Sequence, residues 1–191
     1  MRINMLKFPD KKYSIIYCDP PWKYENWNEA WHQTHPQSRW AGKKYSLMPI
    51  EDLMALPVEA LAEKNAVIFM WTIGTMLPDA LKLMASWGFK YRTIAFVWVK
   101  KNIKKDTIFT GMGYWTRSNA EICLLGIKGK PLPRISHSIS QVVITPRGRH
   151  SQKPAEVRDR IVALLGDLPR IELFAREATV GWDIWGDEAP E

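Results

Sequence analysis

The feature that most constrains this chain is a series of five short apolar runs at residues 13–18, 66–71, 93–99, 121–126 and 171–174, rich in Val, Ile and aromatic side chains. Each has the length of a strand, and their near-continuous hydrophobicity predicts strands covered on both faces. Between them lie helical patterns at 49–62, 78–87 and 154–165. Each opens with a proline, whose missing N–H is no loss in a first helical turn, and Gly88 and Gly166 close the last two. Strands alternating with helices predict an α/β fold, a mostly parallel sheet with helices on both faces. A length of 191 residues suits one such domain. Three stretches, 23–45, 100–118 and 129–150, are long for connections in a compact domain. They carry Trp, Tyr, Arg and Lys, as loops that grip a substrate would.

A formal charge of +7 suits a nucleic-acid substrate better than a protein or lipid one, although ordinary soluble proteins also carry such an excess. The two cysteines, Cys18 and Cys123, each lie inside an apolar run and read as buried thiols. That suits a reducing cytoplasm. Residues 1–10 have no apolar core of signal-peptide length, and no window approaches the ~18 apolar residues of a membrane span, so a cytoplasmic protein with no membrane contact is expected. Ten tryptophans are many for this length, and Trp22, Trp27, Trp31, Trp40 and Trp115 stand in polar surroundings where flat rings suit stacking on bases.

Chemistry concentrates at Asp19-Pro20-Pro21-Trp22, directly after the first apolar run. Open α/β sheets bind ligands at the carboxyl ends of their strands, and the motif stands at such an end. A proline turn closing a strand is the plainer reading of these four residues. The chemical reading starts from the aryl amine, whose nitrogen lone pair is delocalised into its ring. A catalyst must hold both amine hydrogens while the nitrogen becomes tetrahedral. Asp19 can accept one hydrogen, and the Pro20 carbonyl, stiffened by Pro20 and Pro21, can accept the other with little reorganisation. Trp22 is then placed to stack on the ring.

The chain resembles the MT-A70 family of adenine methyltransferases over nearly its whole length. The resemblance is carried by Tyr17-Cys18-Asp19-Pro20-Pro21-Trp22, Phe96-Val97-Trp98-Val99-Lys100, Gly113-Tyr114-Trp115-Thr116-Arg117-Ser118-Asn119-Ala120-Glu121, His150-Ser151-Gln152-Lys153-Pro154, and Ile171-Glu172-Leu173-Phe174-Ala175-Arg176 followed by Gly181-Trp182-Asp183-Ile184-Trp185-Gly186. It implies a Rossmann-like methyltransferase fold in which the catalytic motif precedes the cofactor-binding strand, the beta-group order. It further implies S-adenosylmethionine as cofactor and in-line attack of the 6-amino nitrogen of adenine on the sulfonium methyl, a step governed by positioning. On this resemblance Lys153 reaches the methionine carboxylate. Asp19 joins the cofactor site, and Glu172, Phe174, Arg176, Asp187 and Glu188 surround the ribose and adenine, Glu172 standing at a strand's end where an acid can take ribose hydroxyls. Two departures stand out: Ala175-Arg176 replaces a glycine-rich turn, and mammalian members carry Asn-Gln at Asp187-Glu188. Ile3 and Asn4 are candidates for contacts to the cofactor base.

Substrate contacts are expected from Trp22, Tyr24, Lys100, Tyr114, Trp115, Arg117 and Asn119. Trp27, Trp31 and Trp40, among His32, His35 and Arg39, read either as a gate over a flipped adenine or as a self-anchored loop. His32 and His35 lack the further ligands a metal needs, so no metal site is expected. Lys100, Lys101, Lys104 and Lys105, followed by Gly111-Met112-Gly113-Tyr114-Trp115, read as a basic, aromatic loop for phosphate contact and stacking, against the plainer reading of a solvated face. Arg147, Arg149 and His150 form a second such cluster, and Asn119 and Glu121 are expected to orient the site from a strand. The partner expected is nucleic acid, DNA favoured over RNA because the chain reads as a bare catalytic core of bacterial or phage type, acting as a monomer or homodimer. Two other classes compete. One is a non-catalytic nucleic-acid-binding relative, against which the intact Asp19, Lys153 and Glu172 argue. The other is methylation of a protein amide, against which the aromatic, basic loops argue.

Overall fold

The computed structural model describes residues 7–23, 47–111, 113, 115–148 and 152–186. Within them runs one seven-stranded sheet: β1 (Tyr13–Cys18), β2 (Ala62–Thr72), β3 (Lys90–Lys101), β4 (Ala120–Lys128), β5 (Val142–Pro146), β6 (Arg170–Leu173) and β7 (Asp183–Trp185). Four helices accompany it: α1 (Ile50–Met54), α2 (Val58–Leu61), α3 (Leu77–Ser86) and α4 (Glu156–Leu165). The strand order is β5-β3-β4-β2-β1-β6-β7. The β1–β2, β1–β6, β3–β5 and β6–β7 ladders are parallel, and only β4 runs against its neighbours β2 and β3. This is the mostly parallel α/β sheet expected, with the motif-bearing β1 preceding β6 in sequence and lying beside it in space.

The two-residue alternation of a strand divides the core into two layers. Ile16, Cys18, Ile68 and Met70 face one layer, with Leu53 of α1, Val58 and Leu61 of α2, and Ala80, Leu83 and Met84 of α3. Ile15, Tyr17, Val67, Phe69 and Trp71 face the other, with Val157, Ile161 and Leu165 of α4. Helices therefore cover both faces, which is why the runs carry almost no polar residue. Gly88 and Gly166 follow α3 and α4 at φ 79° and 91°, a left-handed backbone that glycine adopts at little cost.

Four expectations change. The 49–62 pattern is two short helices, because Pro57 has no N–H to continue α1 and instead caps α2, while Ala62 already begins β2 opposite Tyr13. The 129–150 stretch, expected to be a loop, contains β5. The short β7 was also not expected; it pairs only with β6. The extension of β3 to Lys101, bridged to Ile108, shortens the 100–118 loop into a hairpin-like return.

Candidate active site

Strand polarity gathers the functional residues at one edge. The carboxyl ends of β1, β2, β6 and β7 coincide by parallel registers such as Cys18 with Met70 and with Leu173. Because β4 is antiparallel, its first residues arrive there too: Ile122 pairs with Thr72, and Glu121 with Trp98. The β3 and β5 ends follow through Lys100 paired with Thr145. Asp19, Lys100, Asn119, Glu121, the start of α4 and the turn at Phe174 thus share one edge of the sheet, although they span much of the sequence.

Four side chains form a continuous ion-pair chain across that edge. Lys153 Nζ donates to Asp19 Oδ2 at 2.5 Å and lies 3.3 Å from Glu121 Oε2, while Glu121 Oε1 accepts from Lys100. Only 8% of the Lys153 side chain is exposed, so its charge depends on those carboxylates. Burial alone would strip the proton from Lys153, but Asp19 and Glu121 overcome it and hold the ammonium firmly charged. Burial also raises the Asp19 carboxyl above the ordinary aspartate range; Lys153 pulls against this, Glu121 adds to it and Arg176 opposes it. Glu121 is subject to the same burial, yet Lys153 and Lys100 together bring its carboxyl below the ordinary glutamate range. A cation just before the first turn of α4 is disfavoured by the helix dipole, so Lys153 at this place creates a strong demand for anions.

The motif itself is held rigidly. The Trp22 N–H donates to the Pro20 carbonyl at 2.9 Å, and the Met48 N–H to the Pro21 carbonyl at 2.9 Å. A carbonyl oxygen has two lone pairs, so Pro20 keeps one acceptor site. Trp22 is only 5% exposed, packs in the core, and donates its indole N–H to the Trp71 carbonyl at 3.3 Å. A ring so placed fixes the turn after β1. The Lys100 ammonium pairs with Glu121 and lies 5.0 Å over the Trp98 ring.

The cofactor side of the site gathers at β6. Phe174 follows this strand at φ 61°, a conformation that a bulky residue adopts only where the surroundings enforce it. Its ring meets Trp185 edge-on at 5.6 Å, and Gly186 passes so close that a Cβ there would lie 2.8 Å from the Phe174 Cα. The result is a tight cradle at the ends of β6 and β7. Glu172, the acid expected to meet the ribose, is instead gripped by Arg158 of α4: Nε donates to Oε2 at 2.6 Å and Nη2 to Oε1 at 2.7 Å. The expectation did not foresee this partner. Its signal was a charged residue on the apolar row of α4, where Arg158, Ile161 and Leu165 recur at helical spacing.

On the outer side, Trp115 is 89% exposed. Arg117 donates its Nε to the Gly111 carbonyl at 2.7 Å, the Gly111 N–H donates to the Ser118 carbonyl at 2.9 Å, and the Asn119 carbonyl accepts the Lys100 N–H at 2.9 Å. Arg147 stacks 3.5 Å over the Phe109 ring. The exposed indole, Arg117, Lys104 and Lys105 belong to the same segment between β3 and β4. Tyr24, Tyr114, Asp187 and Glu188 lie outside the described residues, as do Ile3, Asn4, Trp27, Trp31, His32, His35, Arg39, Trp40, Arg149 and His150. Among the described residues no group of His, Cys, Asp and Glu is arranged to hold a metal, and no helix is long and apolar enough to cross a membrane.

Residues 13–188 match the MT-A70 family model. The chain is 37% identical to the type II methyltransferase M.MunI of Mycoplasma sp over 97% of its own length and 81% of that protein. The chain belongs to the MT-A70 family. Its sheet, with helices on both faces, is a Rossmann-like arrangement of that family. The chain is also 31% identical to a probable N(6)-adenosine-methyltransferase MT-A70-like protein of Oryza sativa subsp. japonica, matching 93% of this chain and 23% of that protein. The figures for the N(6)-adenosine-methyltransferase catalytic subunit METTL3 of Homo sapiens are 26% identity, 93% of this chain and 28% of that protein. The chain thus spans about a quarter of the length of these two plant and human relatives.

Proposed function

We propose that this chain is an S-adenosylmethionine-dependent enzyme that methylates the 6-amino group of adenine in nucleic acid, with DNA the favoured substrate. The observation that carries this reading is the placement of Asp19, beside the Pro20 carbonyl, within 2.5 Å of the buried cation Lys153 at the edge where the strands end. The buried ammonium before α4 and the cradle of Phe174 and Gly186 suit a ligand bearing both a carboxylate and a flat ring. When bound, S-adenosylmethionine supplies an electrophilic methyl group on a sulfonium.

The chain's own residues do the positioning. Lys153 binds the carboxylate of the cofactor, with Glu121 and Lys100 fixing its place, while Phe174 and Arg176 border the nucleoside end; Asp187 and Glu188, outside the described residues, are assigned to the cofactor by the family resemblance alone. Asp19 and the second lone pair of the Pro20 carbonyl accept the two hydrogens of the adenine amine, turning its lone pair toward the methyl group. Trp115, Arg117, Lys104 and Lys105 grip the strand around the target together with Asn119, and Tyr24 and Tyr114, outside the described residues, are assigned to the substrate from the sequence alone. The preference for DNA rests on the match to the Mycoplasma type II methyltransferase over most of both lengths. RNA is the second reading, favoured by the N(6)-adenosine-methyltransferases among the relatives.

Incubation with labelled S-adenosylmethionine and separate DNA and RNA pools, followed by nucleoside mass analysis, tests this. Label in 6-methyladenine is expected, in DNA before RNA; label in protein or in no nucleoside would refute the proposal. Oligonucleotide affinity is also expected to fall steeply with salt, with a slope of about −3 or steeper in log affinity against log salt, as release of several counterions requires. A flat response in a filter-binding titration would remove nucleic acid as the partner.

A further inference from the structure

The Arg158 fork leaves Glu172 poorly suited to receive a ribose. Both carboxylate oxygens accept from the guanidinium, and only 10% of the Glu172 side chain is exposed. The guanidinium lies 5.6 Å over the Tyr17 ring, and the Tyr17 hydroxyl accepts the Trp71 indole N–H at 2.6 Å, so the fork is anchored in the core beneath the sheet's edge. Drawing Glu172 toward a ligand would break a bidentate bond and leave a buried cation uncompensated, which a ribose hydroxyl cannot repair.

Glu177 has the opposite character. It follows the left-handed turn at Phe174, and its side chain is 39% exposed. Its Oε1 accepts from Gln152 Nε2 at 3.4 Å and lies 4.0 Å from Arg158 Nη1. Gln152 is the neighbour of Lys153, so these contacts place the Glu177 carboxylate between the end of β6 and the start of α4. The gap between these two elements adjoins the ends where Asp19, following β1 beside β6, pairs with Lys153, the neighbour of Gln152.

We propose that Glu177, rather than Glu172, is the acid that binds the ribose hydroxyls of the cofactor, and that Arg158 is a positioning residue that locks Glu172 into the wall and steers Glu177 toward the gap. The proposal rests on the methyltransferase reading, because the ribose is that of S-adenosylmethionine. A carboxylate bridging two vicinal hydroxyls offers two charge-assisted bonds at a partly desolvated site, whereas the fork offers its energy to the fold.

The test uses the full chain and S-adenosylhomocysteine, titrated by calorimetry alongside thermal unfolding. Glu177→Gln is expected to weaken S-adenosylhomocysteine binding about tenfold, the loss typical of one charge-assisted hydrogen bond, with an unchanged Tm. It should also bind S-adenosylhomocysteine and its 2′-deoxy form alike, whereas the unaltered chain should prefer the former. Glu172→Gln is expected to lower Tm while leaving affinity, measured well below the transition, nearly unaltered. Unchanged affinity in Glu177→Gln, or lost affinity in Glu172→Gln at an unchanged Tm, would overturn the assignment. Failure of the unaltered chain to bind S-adenosylhomocysteine at all would instead overturn the cofactor reading beneath it.

Discussion

In the Asp19→Ala variant, kcat for methyl transfer is expected to fall at least about 100-fold, or about 2.7 kcal/mol of transition-state stabilisation, the scale of removing one oriented hydrogen-bonding group from a reacting centre. Binding of S-adenosylhomocysteine should be nearly unaltered, since Lys153 keeps Glu121 as a partner. Asp19→Asn retains an acceptor oxygen and should fall between the two. The pH profile carries the same signature. Burial holds the Asp19 carboxyl above the ordinary aspartate range, with Glu121 adding to the effect and Lys153 opposing it. As pH falls through that raised value, Asp19 gains a proton and loses its capacity to accept the amine hydrogen. Activity should therefore decline on the acid side at a pH above the ordinary aspartate value, and a kcat profile flat through that region would contradict the role of Asp19.

The second large effect belongs to Lys153. Lys153→Met keeps the length and apolar stem of the side chain but leaves Asp19 and Glu121 facing each other without the cation between them. Removing one partner from a buried pair costs about 3–5 kcal/mol, which denaturant unfolding at neutral pH would read directly. The pH dependence contributed by Glu121 should change sign, whereas Asp19, already raised in the unaltered chain, should rise further. In the unaltered chain the folded Glu121 carboxyl lies below its unfolded value, so its contribution is present above that unfolded value and is lost as pH falls through the folded one. In the variant both carboxyls should lie above their unfolded values, so stability should be recovered on acidification and lost as pH rises. The acid limb of any remaining activity should move to higher pH. A variant as stable as the parent at neutral pH would show that the ion-pair chain does not depend on Lys153.

What the sequence revealed follows from how far apart in the chain the cause lay. β1 was legible to the residue, because Ile15 and Tyr17 face one core layer while Ile16 and Cys18 face the other, and burial on both sides leaves a dense apolar run. β5 was not, because its Val142, Val143 and Ile144 are few, stand between polar residues and Pro146, and become a strand only through pairing with the distant β3. The site divides in the same way. Asp19 and its prolines announce themselves by standing at a strand's end. That Lys153 would pair with Asp19, 134 residues away, is encoded in no local pattern; it follows only once the fold brings the end of β1 to the start of α4. The burial of Trp22 was not legible, because an aromatic after a proline turn looks the same in sequence whether it faces a ligand or the core, and here the Trp71 carbonyl accepts its N–H. Arg158 was the missed clue, a charge on a buried helical row whose only sensible explanation is a buried acid.

The most direct measurement of the central claim is a crystal structure of the full chain with a non-reactive S-adenosylmethionine analogue and an adenine-containing oligonucleotide. Asp19 Oδ and the Pro20 carbonyl oxygen are expected within about 3.2 Å of the adenine 6-amino nitrogen, with that nitrogen facing the position of the transferable methyl group. An adenine amine bound elsewhere, with Asp19 still committed to Lys153 alone, would contradict it.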